Sequence, residues 1–348
     1  MFNNNADDKR AYSVGPSPRR HRLWVVERPV DAASTTVGEY LTSWLAAKQS
    51  LRPSTRQSYE SHLRLHVVPA VGDIRLSDLS TADLEQMYAQ IGSQVRVRPV
   101  GPATLCRIHA TVLSALNTAV RRGLIERNPG TAVELPINRS PRPRVWTPED
   151  LASFLDETRE DPLHLLYAVL GLRGLRRGEA IGLRTVDVDL AHTVLRIEQQ
   201  AVQVKGQLTF GPPKSRAGNR AVAIDEWLAR QFHWHLCQKR LWRHNAGEDW
   251  REHGLVFTTT VGEPLNPSYV TRHFDRLVAD VGLPRIRLHD LRHTSASVGL
   301  ASGETLIEVS RRLGHSSIAI TGDIYSEISA EMAQRSADRM TQYVMTNR

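Results

Sequence analysis

The segment PINRSPRPR at residues 136–144 constrains the fold of this chain more than any other feature. It holds three prolines, three arginines and no acidic residue. Proline fixes φ and removes a hydrogen-bond donor, so this segment is predicted to be a stiff, extended, basic connector. The chain has 348 residues, too many for one ordinary core. We therefore predict two domains, 35–135 and 145–328, joined by a linker at 136–144 and flanked by an extension at 1–34 and a helix within 329–348.

Residues 35–135 show the apolar spacing that is typical of helices. The predicted helices begin near residue 37, at Pro53, at Leu84 behind the cap Ser80-Thr81-Ala82-Asp83, and at residue 102. We expect Pro69 and Gly72 to break the second of them. The N-terminal extension 1–34 lacks helical periodicity, and it is expected to be either a disordered terminus or an arm that contacts DNA.

The second domain changes from helical to strand periodicity and back. A helix is predicted to start at Thr147-Pro148-Glu149-Asp150, and alternating apolar residues between 186 and 224 predict short strands with glycine and proline turns. Helices resume from 226 to 344, where Trp227, Trp234 and Trp242 recur at spacings that predict a buried seam. The predicted fold class is mainly α with a small antiparallel β-sheet in the second domain.

The balance of charge favours an anionic partner. Lys plus Arg is 45 against 37 for Asp plus Glu, a net charge of +8, and only five of the basic residues are lysine. The planar arginine fork suits bidentate phosphate contacts. Two explanations stay open at this point, a surface for nucleic acid or the arginine bias of GC-rich codons.

Several classes of protein are disfavoured by the sequence. No apolar run is long enough for a transmembrane helix, and the N-terminal residues lack the apolar stretch of a signal peptide, so we expect no membrane partner and a cytoplasmic location. Two cysteines cannot form a disulfide framework or a four-cysteine zinc site. There is no phosphate-binding glycine loop, and His233-x-His235-x-Cys237 falls in a predicted helix that points its histidines apart, so we expect no metal and no cofactor.

Four segments of the second domain carry reactive side chains. They are GLRRGE at 174–179, Lys214 in the predicted hairpin FGPPKSRAGNRAV, LHDLRH at 288–293, and LGHSSIAITGDIY at 313–325. Each alone is common: a lysine in a turn is usually a surface residue, and His-x-x-Arg on one helix face often only forms an ion pair.

In this order, the four segments resemble the tyrosine recombinase (phage integrase) family. The resemblance covers about residues 35–330, including the end of the first domain at RRGLIERNP. It implies a helical, SAM-like core DNA-binding domain followed by an α+β catalytic domain. It also implies a site-specific integrase that cuts and rejoins DNA, and thereby integrates or excises a phage or mobile element without metal or ATP.

The resemblance assigns the covalent step to Tyr325, which would attack the scissile phosphate and form a 3′-phosphotyrosyl bond. Arg176 and Arg292 would clamp the non-bridging oxygens of the pentavalent transition state. Arg173, three residues before Arg176, occupies a position that is more often small and polar in the family, but the Gly-Glu that follows favours Arg176 as the catalytic arginine.

The remaining roles concern proton transfer and support. Lys214 would protonate the leaving 5′-oxygen, His289 could accept the tyrosine proton, and His315 would hydrogen-bond the phosphate. Glu179 is expected to hold a neighbouring side chain rather than react, and Asp290 is expected to orient its helix or the neighbouring histidines. Further contacts to DNA are expected from a set of arginines: Arg121, Arg122, Arg142, Arg144, Arg177 and Arg216.

The expected partners are double-stranded attachment sites and other copies of the chain. The predicted C-terminal helix would dock onto a neighbouring protomer of a homotetramer, although packing on its own domain stays open. A recombination directionality factor or a host DNA-bending protein is a further expected partner. The alternatives are a non-cutting DNA-binding protein on the same fold, a type IB topoisomerase, and a metal-dependent phosphatase or nuclease.

Overall fold

The computed structural model describes residues 34–93, 100–136, 144–315 and 330–346. These residues fall into two compact units. One consists of residues 34–49 and 62–136, and the other consists of residues 50–61 and the described residues beyond 136. The assignment of DNA binding to the first domain and of catalysis to the second stays a prediction.

The part of the chain before residue 136 is helical, as predicted. A capping box begins the first helix, where the Thr36 side chain accepts from the Glu39 N–H and Glu39 accepts from the Thr36 N–H. Ser80 and Asp83 exchange the same pair of bonds ahead of the fourth helix. The helices are α1 (Val37–Ala47), α2 (Pro53–His62), α3 (Val68–Val71), α4 (Thr81–Ser93) and α5 (Pro102–Arg121).

Pro69 does not break the second helix, which corrects the sequence prediction. A π-helical turn over Leu63–Val67 follows α2 directly and leads into α3, so the chain stays helical up to Gly72. Proline has no N–H and its ring clashes with the carbonyl four residues back. The wider π turn, in which the Val68 N–H bonds to the Leu63 carbonyl, accommodates the proline. The helix ends at Gly72, whose carbonyl accepts the N–H of Gly38.

The part beyond residue 144 is mainly helical with small antiparallel sheets, which confirms the predicted fold class. Instead of the single sheet expected, β1, β2 and β5 form one sheet in that order, and β3 pairs with β4 in another. The strands are β1 (Val188–Asp189), β2 (Val194–Ile197), β3 (Gln200–Val204), β4 (Gln207–Gly211) and β5 (Arg220–Ala223). The helices are α6 (Pro148–Glu157), α7 (His164–Arg173), α8 (Arg177–Ile181), α9 (Glu226–Ala246), α10 (Pro267–Val281), α11 (Asp290–Ser302), α12 (Leu306–Leu313) and α13 (Ala330–Thr346).

Helix α7 is the centre of the second unit. Every residue from His164 to Gly171 is buried, and α6, α8, α9 and α11 pack around it. It ends at Gly174, which adopts a left-handed conformation with φ +68°. Helices α8 and α11 both contact α7, and Arg292 in the first turn of α11 bonds to the carbonyl of Gly174 at this turn.

The predicted tryptophan seam of α9 is wrong. The buried residues of this helix are Leu228, Phe232, His235 and Lys239, whereas Trp234 is 52% exposed. Trp227 and Trp242 lie at the edge of the core, where their rings contact the rings of His164 and His235, so the spacing does not mark a buried seam. Along the part of the chain that the structure describes, no helix is long and apolar enough to cross a membrane.

Candidate active site

The C-terminal end of α12 gathers three arginines. The last carbonyl groups of a helix have no intrahelical partner and lie at the negative end of its dipole. Here three consecutive carbonyls each accept a hydrogen bond from a different guanidinium group. Arg220 donates to the Arg312 carbonyl at 2.7 Å, Arg292 to the Leu313 carbonyl at 2.7 Å, and Arg176 to the Gly314 carbonyl at 3.1 Å. His315 follows immediately in the chain, so the site combines concentrated positive charge with an imidazole.

Arg292 is held between the ends of two helices. It lies in the first turn of α11 and is only 4% exposed. Its other terminal nitrogen donates to the carbonyl of Gly174 at 2.6 Å. A Cβ at Gly174 would lie 2.3 Å from Cδ2 of the buried Leu313, so a glycine is required where α7 and α12 meet. The guanidinium is therefore fixed by the chain termini of α7 and α12.

Arg176 is the more accessible of the two predicted clamp residues. It precedes α8, its side chain is 35% exposed, and its Nη1 donates to Oε1 of Glu179 at 2.7 Å. Glu179 Oε2 also accepts the backbone N–H of Arg176 at 2.9 Å. Arg173 instead forms an ion pair with Asp225. Arg176 thus bonds to the end of α12 beside Arg292, whereas Arg173 pairs with Asp225.

The histidines of the site are shifted toward their neutral form. Burial, followed by the charges of nearby His293 and Arg292, lowers the pKa of His289 to about 4. Burial, with the charges of Arg292 and Arg176, lowers the pKa of His315 to about 4. The rings of His289 and His293 are nearly perpendicular, with their centroids 5.4 Å apart. At neutral pH both rings are therefore uncharged, with one ring nitrogen that carries a hydrogen and one that does not.

Asp290 supports the start of α11. Its carboxylate is buried and accepts from the backbone N–H, Nε and Nη2 of Arg287 at 2.8–2.9 Å. Although burial opposes ionisation, the hydrogen bonds from Arg287 hold the pKa of Asp290 below its usual value. A negative charge in the first turn of α11 is also stabilised by the helix dipole. These bonds fix the start of the helix, and the negative charge of Asp290 also acts on nearby His293.

Lys214 does not lie in a hairpin, which corrects the sequence prediction. Strand β4 pairs with β3 and strand β5 pairs with β2, so residues 212–219 connect two different sheets. The hairpin turn between β3 and β4 carries Lys205 and Gly206 instead. Lys214 is exposed on the connecting loop, where Gly218 packs closely against Pro213. Alternating apolar residues predict strands, but they do not say which strands pair.

The other predicted residues lie in varied places. Arg177 donates to the carbonyl of Pro267 and to the hydroxyl of Thr271, and it thereby ties α8 to α10. The remaining predicted DNA contacts that the structure describes are exposed: Arg121, Arg122, Arg144 and Arg216. Tyr325 and Arg142 lie outside the described residues.

Sequence reasoning missed two members of this site. Arg220 bonds to Glu179 and to the end of α12, but nothing in its local pattern separates it from the many other arginines. His293 could have been found, because it closes the LHDLRH motif one turn beyond His289. In the residues described, no group of His, Cys, Asp and Glu is placed to hold a metal ion, and His235 contacts the carbonyl of Val256.

Comparisons with known proteins show the family to which the chain belongs. The sequence model of the phage integrase family matches residues 145–332, and that of the phage integrase N-terminal SAM-like domain matches residues 36–91. The chain is 30% identical to the putative prophage phiRv2 integrase of Mycobacterium tuberculosis, over 82% of this chain and 73% of that protein. It is 28% identical to the integrase of Mycobacterium phage D29, over 91% of this chain and 81% of that protein.

Solved structures share the fold. The Tn1549 transposon integrase in complex with transposon right-end DNA superposes with a TM-score of 0.75 at 18% identity, covering 88% of this chain and all of that one. The lambda integrase tetramer bound to a Holliday junction gives a TM-score of 0.59 at 18% identity, covering 86% of this chain and 83% of that one. With a family match over more than half of its length, this chain belongs to the phage integrase family of tyrosine recombinases.

Proposed function

We propose that this protein is a site-specific DNA recombinase, an integrase that cuts and rejoins DNA at the attachment sites of a phage or mobile element. The observation that carries the proposal is the convergence of Arg176, Arg220 and Arg292 on the end of α12, next to His315. A cluster of guanidinium groups with neutral imidazoles beside it suits a phosphodiester whose charge grows in the transition state. Membership of the family supports the same reading.

In the proposed reaction the phenolic oxygen of Tyr325 attacks phosphorus, and the bond from phosphorus to the 5′-oxygen of the next nucleotide breaks. His289 accepts the proton of the phenol, and Lys214 gives a proton to the leaving 5′-oxygen. The protein–DNA bond retains the phosphodiester linkage, so a second 5′-hydroxyl can reverse the step without ATP. These groups provide nucleophile, base and acid, and the reaction is proposed to need no metal ion.

Arg176 and Arg292 would stabilise the negative charge of the phosphate in different ways. Arg176 has the more accessible side chain and would contact a non-bridging oxygen directly. Arg292 is buried, and because the carbonyl groups that it bonds are uncharged, its positive charge remains in the site. His315 would donate to the phosphate. Removing one such donor is expected to cost about 10²–10³ in rate, as in oxyanion holes.

The proposed partners follow from charge and from the C-terminal helix. A net charge of +8 favours double-stranded DNA. Met340 and Tyr343 of α13 are more than 70% exposed, which leaves apolar surface for docking onto a second protomer of a tetramer. Directionality or DNA-bending factors are further proposed partners. The proposed location is the cytoplasm, with the protein bound to the nucleoid when it engages DNA.

Covalent capture tests the proposal. Purified protein is incubated with nicked fragments of the DNA that flanks its gene, and denaturing gels are used to detect a protein–DNA adduct. We expect an adduct that forms in EDTA and is absent from the Tyr325→Phe variant. Tight, salt-sensitive binding without an adduct would favour a DNA-binding protein that does not cut. Relaxation of supercoiled plasmid without site preference would favour a type IB topoisomerase.

A further inference from the structure

Arg220 makes four side-chain hydrogen bonds to described residues around the site. It is the first residue of β5, and its side chain is 7% exposed. Its Nη1 and Nη2 donate to the two carboxylate oxygens of Glu179 at 3.2 and 2.9 Å. Its Nε donates to the Arg312 carbonyl at 2.7 Å, and Nη1 also donates to the Gly218 carbonyl at 3.0 Å. One guanidinium group therefore ties the start of β5 to α8 and to the end of α12.

Glu179 is shared between two arginines. Its carboxylate is 1% exposed and accepts from Arg220 on one side and from Arg176 on the other. One negative charge cannot neutralise two guanidinium groups. Because Arg220 takes part of that charge, Arg176 keeps a net positive potential at its exposed end, where it can attract a phosphate.

The same contacts keep Glu179 ionised. Burial favours the neutral carboxyl, but the hydrogen bonds and charges of Arg220 and Arg176 outweigh burial and lower the pKa of Glu179. A protonated Glu179 would lose acceptor capacity and could no longer hold both arginines. Without Arg220, only Arg176 would oppose the effect of burial, and the pKa of Glu179 would rise.

We propose that Arg220 is a positioning residue for DNA cleavage. It holds Glu179, which in turn holds Arg176 at the phosphate site, and it fixes the end of α12 from which His315 follows. This inference rests on the proposed function, since the phosphate that Arg176 would meet is that of the scissile strand. Arg220 itself is buried and does not need to touch DNA.

The first test separates cleavage from binding. Adduct formation in a single turnover and DNA affinity are measured for wild type, Arg220→Gln and Arg220→Lys. We expect Arg220→Gln to lower the rate by about 10–100-fold, as for other residues that orient a reactive group through a neighbour. DNA affinity should stay unchanged, and Arg220→Lys should recover part of the rate because it retains the charge.

A matched control is Arg184→Gln. Arg184 lies in the same unit and also binds two carboxylates, those of Asp187 and Glu198, away from the site. It should retain the wild-type rate of adduct formation. If Arg220→Gln cleaves as fast as Arg184→Gln, the proposal is overturned. A loss of rate that is matched by an equal loss of DNA affinity would overturn it as well.

A second test asks whether Arg220 acts through Glu179. The rate is compared for Glu179→Gln alone and for Glu179→Gln combined with Arg220→Gln. If the two residues work as one unit, the second substitution adds little to the first. If the rate loss of the double variant equals the product of the two single losses, Arg220 acts independently of Glu179, which would contradict the proposal.

A third test needs no DNA cleavage. In protein labelled with ¹³C-glutamate, the Glu179 carboxyl signal is identified by its absence from Glu179→Gln and is followed in a pH titration. The pKa of Glu179 should be higher in Arg220→Gln than in wild type. If the glutamine variant does not fold, Arg220→Lys is measured instead, and the pKa of Glu179 should again be higher than in wild type. An unchanged pKa would overturn the positioning role of Arg220. This result does not depend on DNA cleavage, whereas a wild-type protein that forms no adduct would count against the proposed function.

Discussion

At the scale of single residues, glycines decide whether the arginines can reach the end of α12. Gly314 has φ +69°, and its carbonyl accepts from Arg176. A Cβ there would lie 2.5 Å from the carbonyl oxygen of Ala217 and 3.0 Å from Cδ of Arg220. The site therefore depends on the absence of a side chain as much as on the charged groups themselves.

Gly314→Ala should destabilise the protein more than Gly282→Ala. Both glycines end helices with positive φ, but a Cβ at Gly282 would meet nothing within 4 Å. The control should cost about 1–2 kcal/mol for the left-handed conformation alone. Gly314→Ala should add about 1–3 kcal/mol for overpacking. Urea unfolding measures both, and equal losses would show that the contact with Ala217 is unimportant.

The two shifted histidines give a prediction about pH. In the DNA-free protein the ring signals of His289 and His315 should not titrate between pH 5.5 and 8, because both have a pKa of about 4. Unfolding returns them to about 6.5, so the unfolded chain binds more protons between these values. Their contribution to the free energy of unfolding should fall as the pH drops from about 6.5 toward 4. NMR titration of either ring with a midpoint near 6.5 would contradict this account.

At the scale of elements, α8 owes its position to close packing on β3. A Cβ at Gly178 would lie 2.6 Å from the carbonyl oxygen of Ala201, and a Cβ at Gly182 would lie 2.9 Å from the Ala201 nitrogen. Glycines at i and i+4 lie on one face of the segment and let its backbone approach the strand. This contact sets the position of Arg176 and Glu179 relative to the end of α12.

Gly178→Ala should therefore lower both stability and cleavage. The added methyl group meets backbone atoms, so α8 has to move and take Arg176 with it. Gly92→Ala in α4 is the control, since a Cβ there meets nothing within 4 Å and should stabilise the helix by about 0.5–1 kcal/mol. Thermal unfolding and the rate of adduct formation are measured for both variants. A wild-type rate in Gly178→Ala would mean that the α8–β3 contact does not position the site.

The elements differ in how far the sequence predicted them. Helices α4, α5 and α6 were predictable because apolar periodicity and capping residues act locally. Pairing of the strands was not, because β4 and β5 are adjacent in sequence but belong to different sheets, and Lys214 was placed in a hairpin for that reason. The motif order predicted Arg176, His289, Arg292 and His315, whose roles stay predictions. Arg220 could not be predicted, since its partners become neighbours only in the folded chain.

At the scale of the whole molecule, the proposed assembly depends on the C-terminal helix. Tyr343 is 74% exposed and Met340 is 73% exposed, so neither contributes much to the stability of a single chain. Burial of two large apolar side chains against a second protomer would release about 1.5–3 kcal/mol each. Such a contact would join protomers on DNA without being needed for the fold.

The double variant Met340→Ser/Tyr343→Ser should lose assembly and retain its fold. We expect an unchanged melting temperature, near-normal binding to a single DNA site, and loss of the higher-order complexes that wild type forms on paired sites. Sedimentation of protein–DNA mixtures measures this, with Gln342→Ala on the same helix as the control. A drop in melting temperature together with normal assembly would place these side chains against their own unit.

The central claim is that the arginine and histidine cluster at the end of α12 serves a phosphotyrosyl transfer by Tyr325. The most direct measurement is mass spectrometry of the trapped adduct after digestion with nuclease and protease. The account predicts one peptide that carries a nucleotide, with the linkage joining the oxygen of Tyr325 to a 3′-phosphate. A nucleotide on any other side chain, or a linkage through a 5′-phosphate, would contradict it.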